Sequence, residues 1–200
     1  DGGLLLVQCA TVSLDRVLAI LTSAGLTYRW TLAITTNEMF SASRPFSSGW
    51  RPVLVLTKGA WLTAGLPKLA DAVQATNTHY TARVHSWQQP LEPWAYWLAG
   101  LTRSGELVCD PYCGTGTVGV AAKLAGGRRF VGTDVDEGEV KLARKRIAEA
   151  VEGGSPTQAA NGQPAANGTP DKRASRNATG AKSGESANGA NGRPGRQAKA

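Results

Sequence analysis

The residues best equipped for chemistry lie between 110 and 134. Asp110-Pro111-Tyr112-Cys113-Gly114-Thr115-Gly116 follows a short apolar run and precedes a stretch of small residues, so a strand ends in glycines where a helix opens. Such a turn lets a ligand sit against bare backbone and helix-terminal N–H groups. Gly114-x-Gly116-x-x-Gly119 satisfies the dinucleotide fingerprint literally, and Asp134 stands eighteen residues after Gly116, near the place of a ribose-binding acid. A nicotinamide or flavin site is therefore the first competitor. The neighbours argue against it. A carboxylate at 110, between the strand and the first glycine, repels a pyrophosphate but attracts the ammonium and sulfonium of S-adenosylmethionine. About thirty-five ordered residues follow the loop, too few to finish a dinucleotide domain. The rest of the sheet must come from upstream, in permuted order. Each residue also has a plainer use: Asp110 as a helix cap, Trp87 as core, Gln89 as surface.

The elements that would hold this loop follow from periodicity. Gly3 to Val7 is a continuous apolar run, expected as a buried parallel strand. Ser13 can cap a helix with an apolar stripe at Leu14, Val17, Leu18 and Leu21, stopped by Gly25. Tyr28, Trp30, Leu32 and Ile34 alternate with polar or small residues as a half-exposed strand. Residues 37–49 are expected as a loop, Val53 to Thr57 as a strand, and 60–84 as an irregular connection with room for one short helix. Pro90 opens a helix with Trp94, Trp97, Leu98 and Leu101 inward. Glu106 to Cys109 is the strand before the glycine turn, and a helix follows through Val118, Val120, Ala121 and Ala122. Arg129 to Thr133 is the next strand. Asp136 with Glu139 makes a capping-box start for a last helix burying Val140, Ala143 and Ile147. Strand and helix alternating in this way is an α/β unit with parallel strands.

Composition divides the chain. All six Trp and every Phe and Tyr lie in residues 1–152, whereas 153–200 has no large apolar residue and repeats Ala-Asn-Gly. Such a tail cannot offset the entropy of ordering and is expected to be disordered. It holds seven Lys/Arg against Asp171 and Glu185, so it carries +5 of the net +7. A basic tail can hover near phosphates or be a solvated extension. Cys9, Cys109 and Cys113, with His79 and His85, have neither disulfide nor zinc spacing, so no metal is expected. With no signal peptide and no apolar run of membrane-spanning length, the chain reads as soluble and cytoplasmic, without a membrane partner. Its start at Asp1, directly before an apolar run, suggests a fragment.

Taken together, His85-x-Trp87-Gln88-Gln89-Pro90, a helix, Gly105 to Thr117 with its Asp110-Pro111-Tyr112 and glycine turn, and then Arg128 to Asp134 resemble the DNA amino-methyltransferases of permuted motif order. Gly3 to Val7, Tyr28 to Leu32 and Trp50 to Val55 resemble the phage-type branch of that family. The likeness spans about residues 1–150. It implies a Rossmann-like methyltransferase fold, α/β in class: three layers α/β/α, a mostly parallel sheet with an antiparallel hairpin, incomplete here. Residues 1–152 would be the partial domain, with the cofactor-binding half at 85–150. The implied cofactor is S-adenosyl-L-methionine and the implied partner DNA, modified at an exocyclic amine of adenine or cytosine. Asp110, Gly114, Thr115 and Gly116, with Pro111 and Thr117 beside them, would hold the methionine half. Tyr112 would line its pocket and favour the sulfonium through its π face. Asp134 would accept from both ribose hydroxyls. Gln89 and Pro90, with His85 and Trp87, would form the motif before the helix beside the cofactor.

Members of the family position the amine with Asp, Asn or Ser followed by Pro-Pro and an aromatic, which stacks on the extruded base. No Pro-Pro occurs in this chain. The motif is expected upstream of Asp1, so the polypeptide as given would bind cofactor weakly and transfer nothing. Sequence recognition is expected within 36–84, where Arg44, Arg51, Lys58, Lys68 and Arg83 are phosphate contacts or ordinary surface charges. The alternatives are a non-catalytic nucleic-acid-binding remnant of the same fold and an NAD-dependent oxidoreductase. Target base, recognition sequence and oligomeric state are left open at this stage.

Overall fold

The computed structural model describes residues 2–43, 45–61, 63–75 and 88–154, with backbone alone for 37–43. His85 and Trp87, Arg44 and Arg83, and the tail from 155 lie outside the described residues. The described part belongs to one unit.

Strand β1 (Gly3–Gln8) leads through a 3-10 turn into helix α1 (Leu14–Ser23). Strands β2 (Thr27–Ser43) and β3 (Phe46–Lys58) form a hairpin, and β4 (Ala72–Gln74) is a short strand. Helix α2 (Leu91–Leu101), β5 (Leu107–Asp110), α3 (Thr117–Leu124), β6 (Arg129–Gly132) and α4 (Glu137–Glu149) complete the order. The sheet is mixed and lies in two pieces, β1-β3-β2-β4 and β5-β6. β1–β3 and β2–β3 are antiparallel, while β2–β4 and β5–β6 are parallel.

Three expectations need correction. The run from Gly3 pairs antiparallel with β3, and none of its residues is fully buried. Its other edge has no strand among the described residues, so the continuous apolar run is covered on one side only. Residues 37–49 are mostly strand: β2 continues to Ser43 and β3 begins at Phe46, because each strand satisfies the other's backbone groups whatever its side chains. The described part of 60–84 contains β4 and no helix; its three residues are held by parallel pairing to Ala33, Ile34 and Thr35. The alternation through Tyr28 also breaks at a bulge between Tyr28 and Trp30, which leaves both rings exposed while Leu32 and Ile34 are buried.

The core forms where α2 lies on the sheet. Cross-strand partners share a face, so Leu6 opposite Val55 and Leu32 opposite Val53 place Leu4, Leu6, Leu32, Ile34, Val53 and Val55 together. Against them pack Leu91, Trp94, Trp97 and Leu98 of α2, and the cluster continues into Val108 and Val120. Trp97 is fully buried and donates its indole N–H to the Ala70 carbonyl at 3.0 Å. Helix α1 turns its predicted stripe to the protein without burying any residue completely.

Arg128 ties the helix ends that frame β5. It donates to Ala99 O, Thr102 O and Thr102 Oγ1 at the end of α2, and to Ala125 O and Gly126 O after α3. These carbonyls have no helical partner, and a guanidinium has enough donors to serve them together.

Candidate functional site

Four chain segments meet at the carboxyl ends of β5 and β6. β5 ends on Asp110, whose Oδ1 accepts from Tyr112 N at 3.1 Å and so tightens the turn that follows. The two strands are then stitched beyond their ladder: Thr133 N donates to Asp110 O at 3.0 Å, Cys113 N to Thr133 O at 2.9 Å, and Thr133 Oγ1 to Pro111 O at 3.0 Å. Asp134 completes the join. Its Oδ2 accepts from Gly114 N at 2.8 Å and its Oδ1 from Asp136 N at 3.1 Å. A carboxylate offers about four acceptor sites, and with the Val135 N–H also acting on it Asp134 keeps acceptor capacity for a ligand. The acid expected to meet ribose hydroxyls is thus also the clasp of the glycine turn, a second role that spacing did not disclose.

The glycines do different things. Gly114 (φ +47°) and Gly116 (φ +79°) both sit in the left-handed region. A Cβ at Gly114 would meet nothing within 4 Å, so that position is open to whatever occupies the cleft. A Cβ at Gly116 would come within 2.7 Å of Ala143 Cβ, because α4 passes directly behind the turn. Gly116→Ala is therefore expected to cost about 2–5 kcal/mol, from left-handed strain plus overpacking. Gly114→Ala is expected to cost only about 1–2 kcal/mol, the strain alone. Urea unfolding of the two variants should show that order, and equal losses would contradict it. From α4, Arg146 donates to both Thr115 O and Thr115 Oγ1, bracing the turn from the same side.

The electrostatics are anionic. Burial pushes the Asp110 carboxyl up, with Asp134 adding to the shift and the Tyr112 N–H opposing it. Backbone N–H groups of Asp136 and Gly114 hold Asp134 down. The stabilising contribution of Asp134 is accordingly present above the ordinary carboxylate range and lost as pH falls through its lowered value. Cys113 is pushed up by burial and by both aspartates, which makes it a neutral thiol and no nucleophile. Tyr112, 86 % exposed, presents its ring at the rim. Two carboxylates around a glycine turn suit a cationic ligand that carries hydroxyls, and disfavour a phosphate.

Gln89 and Pro90 reach this place through the entry to α2. Gln89 O accepts from Thr117 Oγ1 at 3.4 Å, while Gln89 Oε1 accepts from Gln8 Nε2 at 2.8 Å and Arg51 Nη1 at 3.1 Å. The same residue thus touches the end of β1 and the start of α3, so β1 and β5 point the same way. Arg51, read from the sequence as a phosphate contact or surface charge, is half-buried and donates to Gln89. Between β1 and β5 lies a cavity of about 1470 Å³, lined by Leu4, Leu6 and Gln8 on one side and by Val108, Asp110 and Tyr112 on the other. Gln8 and Arg146 were not singled out from the sequence, and Arg51 only as a phosphate contact or surface charge; the register of β1 and β3 and the packing of α4 bring them to the cleft. Among the described residues no cluster of potential metal ligands occurs, and no helix is long and apolar enough to cross a membrane.

The architecture is that of the Rossmann-like methyltransferases. The model of the N6/N4 DNA methylase family matches residues 70–145, the segment that carries α2, the glycine turn and Asp134. Over 73 residues the chain is 38% identical to the type II methyltransferase M2.DpnII of Streptococcus pneumoniae, which is 34% of this chain and 27% of that one. The chain thus spans about a quarter of the length of that curated relative. Among solved structures it superposes on the M1.HpyAVI–SAM complex with a TM-score of 0.58 and 17% identity, over 73% of this chain and 74% of the other. On the PvuII cytosine-N4-specific DNA methyltransferase the TM-score is 0.59 at 13% identity, over 81% and 71% of the two chains. At such identities the superpositions establish the fold.

Proposed function

We propose that residues 1–152 are a partial domain, with its cofactor-binding half at 85–150, of a DNA amino-methyltransferase that uses S-adenosylmethionine and methylates an exocyclic amine of adenine or cytosine. The observation that carries this reading is the pairing of Asp110 and Asp134 across the turn at 113–116, with Gly114 open toward the cavity. The cofactor supplies an electrophilic methyl group on a sulfonium. Asp110 and the turn would hold its amino-acid end, Tyr112 would lie against the charge, and the free lone pairs of Asp134 would take the ribose hydroxyls. Thr115, Gly116 and Thr117 would shape the turn, and Pro111, Gln89 and Pro90 would line the approach. His85 and Trp87 belong to the same proposed motif by sequence. In a nicotinamide enzyme Asp134 would still meet a ribose, but Asp110 would face the pyrophosphate, which disfavours that alternative.

Methyl transfer also needs groups that orient the amine. No Pro-Pro-aromatic motif exists in residues 1–200. The cavity is flanked by edges of β1 and β5 that pair with no described strand, and we place the missing motif there. By itself the chain is expected to bind cofactor without transferring methyl groups to DNA; transfer of labelled methyl by residues 1–200 would contradict this. That lack also leaves a second reading, a nucleic-acid-binding remnant of the same fold. The cofactor assignment is tested by thermal shift. S-adenosylhomocysteine should raise the melting temperature, by about 2.7 kcal/mol of stability at a hundred times its Kd, and NAD should not. A response to NAD, or to neither ligand, overturns the assignment.

A further inference from the structure

The turn at 113–116 has four peptide N–H groups, and three of them are used inside the protein. Cys113 N donates to Thr133 O at 2.9 Å, Gly116 N to Cys113 O at 2.7 Å and Gly114 N to Asp134 Oδ2 at 2.8 Å. The Thr115 N–H has no acceptor among the described residues, and Thr115, like Asp110, lines the cavity. The same residue is held fast from the other side. Thr115 O and Thr115 Oγ1 both accept from Arg146 Nη1, the latter at 2.9 Å. Helix α3 does not compete for that carbonyl. Its first bond runs from Val120 N to Gly116 O at 2.9 Å and leaves Thr115 O to Arg146.

A neutral amide would have donors enough for one carbonyl and one hydroxyl. Arg146 adds a positive charge, although half-burial weakens the hold of the guanidinium on its proton. Glu139, two helical turns earlier on the same face of α4, opposes that shift and keeps the charge in place. Asp110 and Glu139, which both line the cavity, suit the ammonium of an amino acid and repel its carboxylate. The carboxylate therefore needs a donor and a cation elsewhere, and the Thr115 N–H and Arg146 stand together at the turn. We propose that Arg146 is a positioning residue for the carboxylate end of the ligand: through Thr115 it sets the free N–H toward the cavity and backs it with charge. The inference rests on the cofactor reading above, since only a ligand with an amino-acid end would feel it.

The test compares S-adenosylhomocysteine with methylthioadenosine, two thioethers that share the adenosyl group and differ by the amino-acid end. Both are titrated calorimetrically at neutral pH into the native chain and into Arg146→Met, which keeps the apolar stem and loses charge and donors. The variant should bind S-adenosylhomocysteine about tenfold more weakly and methylthioadenosine within about twofold of the native chain. The adenosyl half is spared because Asp134 is placed by the pairing of β5 with β6. Arg146→Lys keeps the charge but cannot serve both acceptors with a planar fork, so its loss should be about threefold, again for S-adenosylhomocysteine alone. Where Arg146→Met does not fold, the lysine variant carries the test. Equal losses for the two ligands would show that Arg146 merely holds the fold. That result, an unchanged affinity for S-adenosylhomocysteine, or no binding of methylthioadenosine by the native chain would each overturn the proposal. Should S-adenosylhomocysteine itself fail to bind the native chain, the cofactor reading is what fails.

Discussion

Asp110→Asn is expected to raise the melting temperature of the unliganded chain at neutral pH while weakening S-adenosylhomocysteine about ten- to a hundredfold. The two effects share one cause. Burial and the nearby Asp134 push the Asp110 carboxyl up, so its charged form is disfavoured in the folded chain. A carboxyl raised on folding contributes stability that is present below its unfolded value, about 3.9, and is lost as pH rises through the folded value. Asparagine does not titrate and still offers an oxygen to Tyr112 N. The variant's advantage should therefore be small near pH 4 and grow toward neutrality. The same charge is what a ligand ammonium meets in the cleft, hence the loss of affinity. Melting curves at both pH values and a titration at neutral pH read both limbs. A variant that is less stable at neutral pH, or that binds the ligand as tightly as the native chain, would show that Asp110 is structural and does not contact the ligand.

Trp97→Ala is expected to be the most destabilising single truncation in the core, at about 3–5 kcal/mol. The ring is completely buried, stands edge-on to Trp94 at 6.3 Å between centroids, and spends its N–H on Ala70. Trp97→Phe keeps most of the packing and loses that hydrogen bond, so its cost should be nearer 1–2 kcal/mol. Urea unfolding distinguishes them. A loss under 1.5 kcal/mol for the alanine variant would mean that α2 is not seated on the sheet as described. Because α2 also delivers Gln89 to Thr117 and Gln8, the alanine variant should loosen the cleft along with the core.

Much of this protein is local and was therefore written in the residue order. The turn at 110–116 needs a strand, an acid and glycines in succession. The α4 start needs Asp136 two and three residues before the N–H groups of Gly138 and Glu139, to which its Oδ1 accepts. Helix α2 follows from Pro90 and the spacing of Trp94, Trp97 and Leu98, and the stripe of α1 from Leu14, Val17, Leu18 and Leu21. These signals have short range, because caps, turns and helical periodicity act over a few residues. The hairpin past residue 36 was misread for the complementary reason. Asn37, Glu38, Pro45 and Gly49 there are residues depleted in strands, and the ladder between β2 and β3 overrides that preference.

The partners of those residues were a tertiary decision. That Asp134 clasps Gly114 depends on the pairing of β5 with β6, whereas the bracing of Thr115 by Arg146 and the exclusion of any side chain at Gly116 by Ala143 depend on α4 passing behind the turn. Gln8 and Arg51 stand 43 positions apart in the sequence and meet at Gln89 only because β1 pairs with β3 in one register. A shift of β1 by one residue would turn Gln8 to the opposite face from Arg51, since strand side chains alternate with period two. Residue order determined the ligand-facing turn; sheet register and helix packing decided which distant groups complete it, because such pairings are fixed by burial and backbone pairing across the fold, over distances that local spacing does not encode.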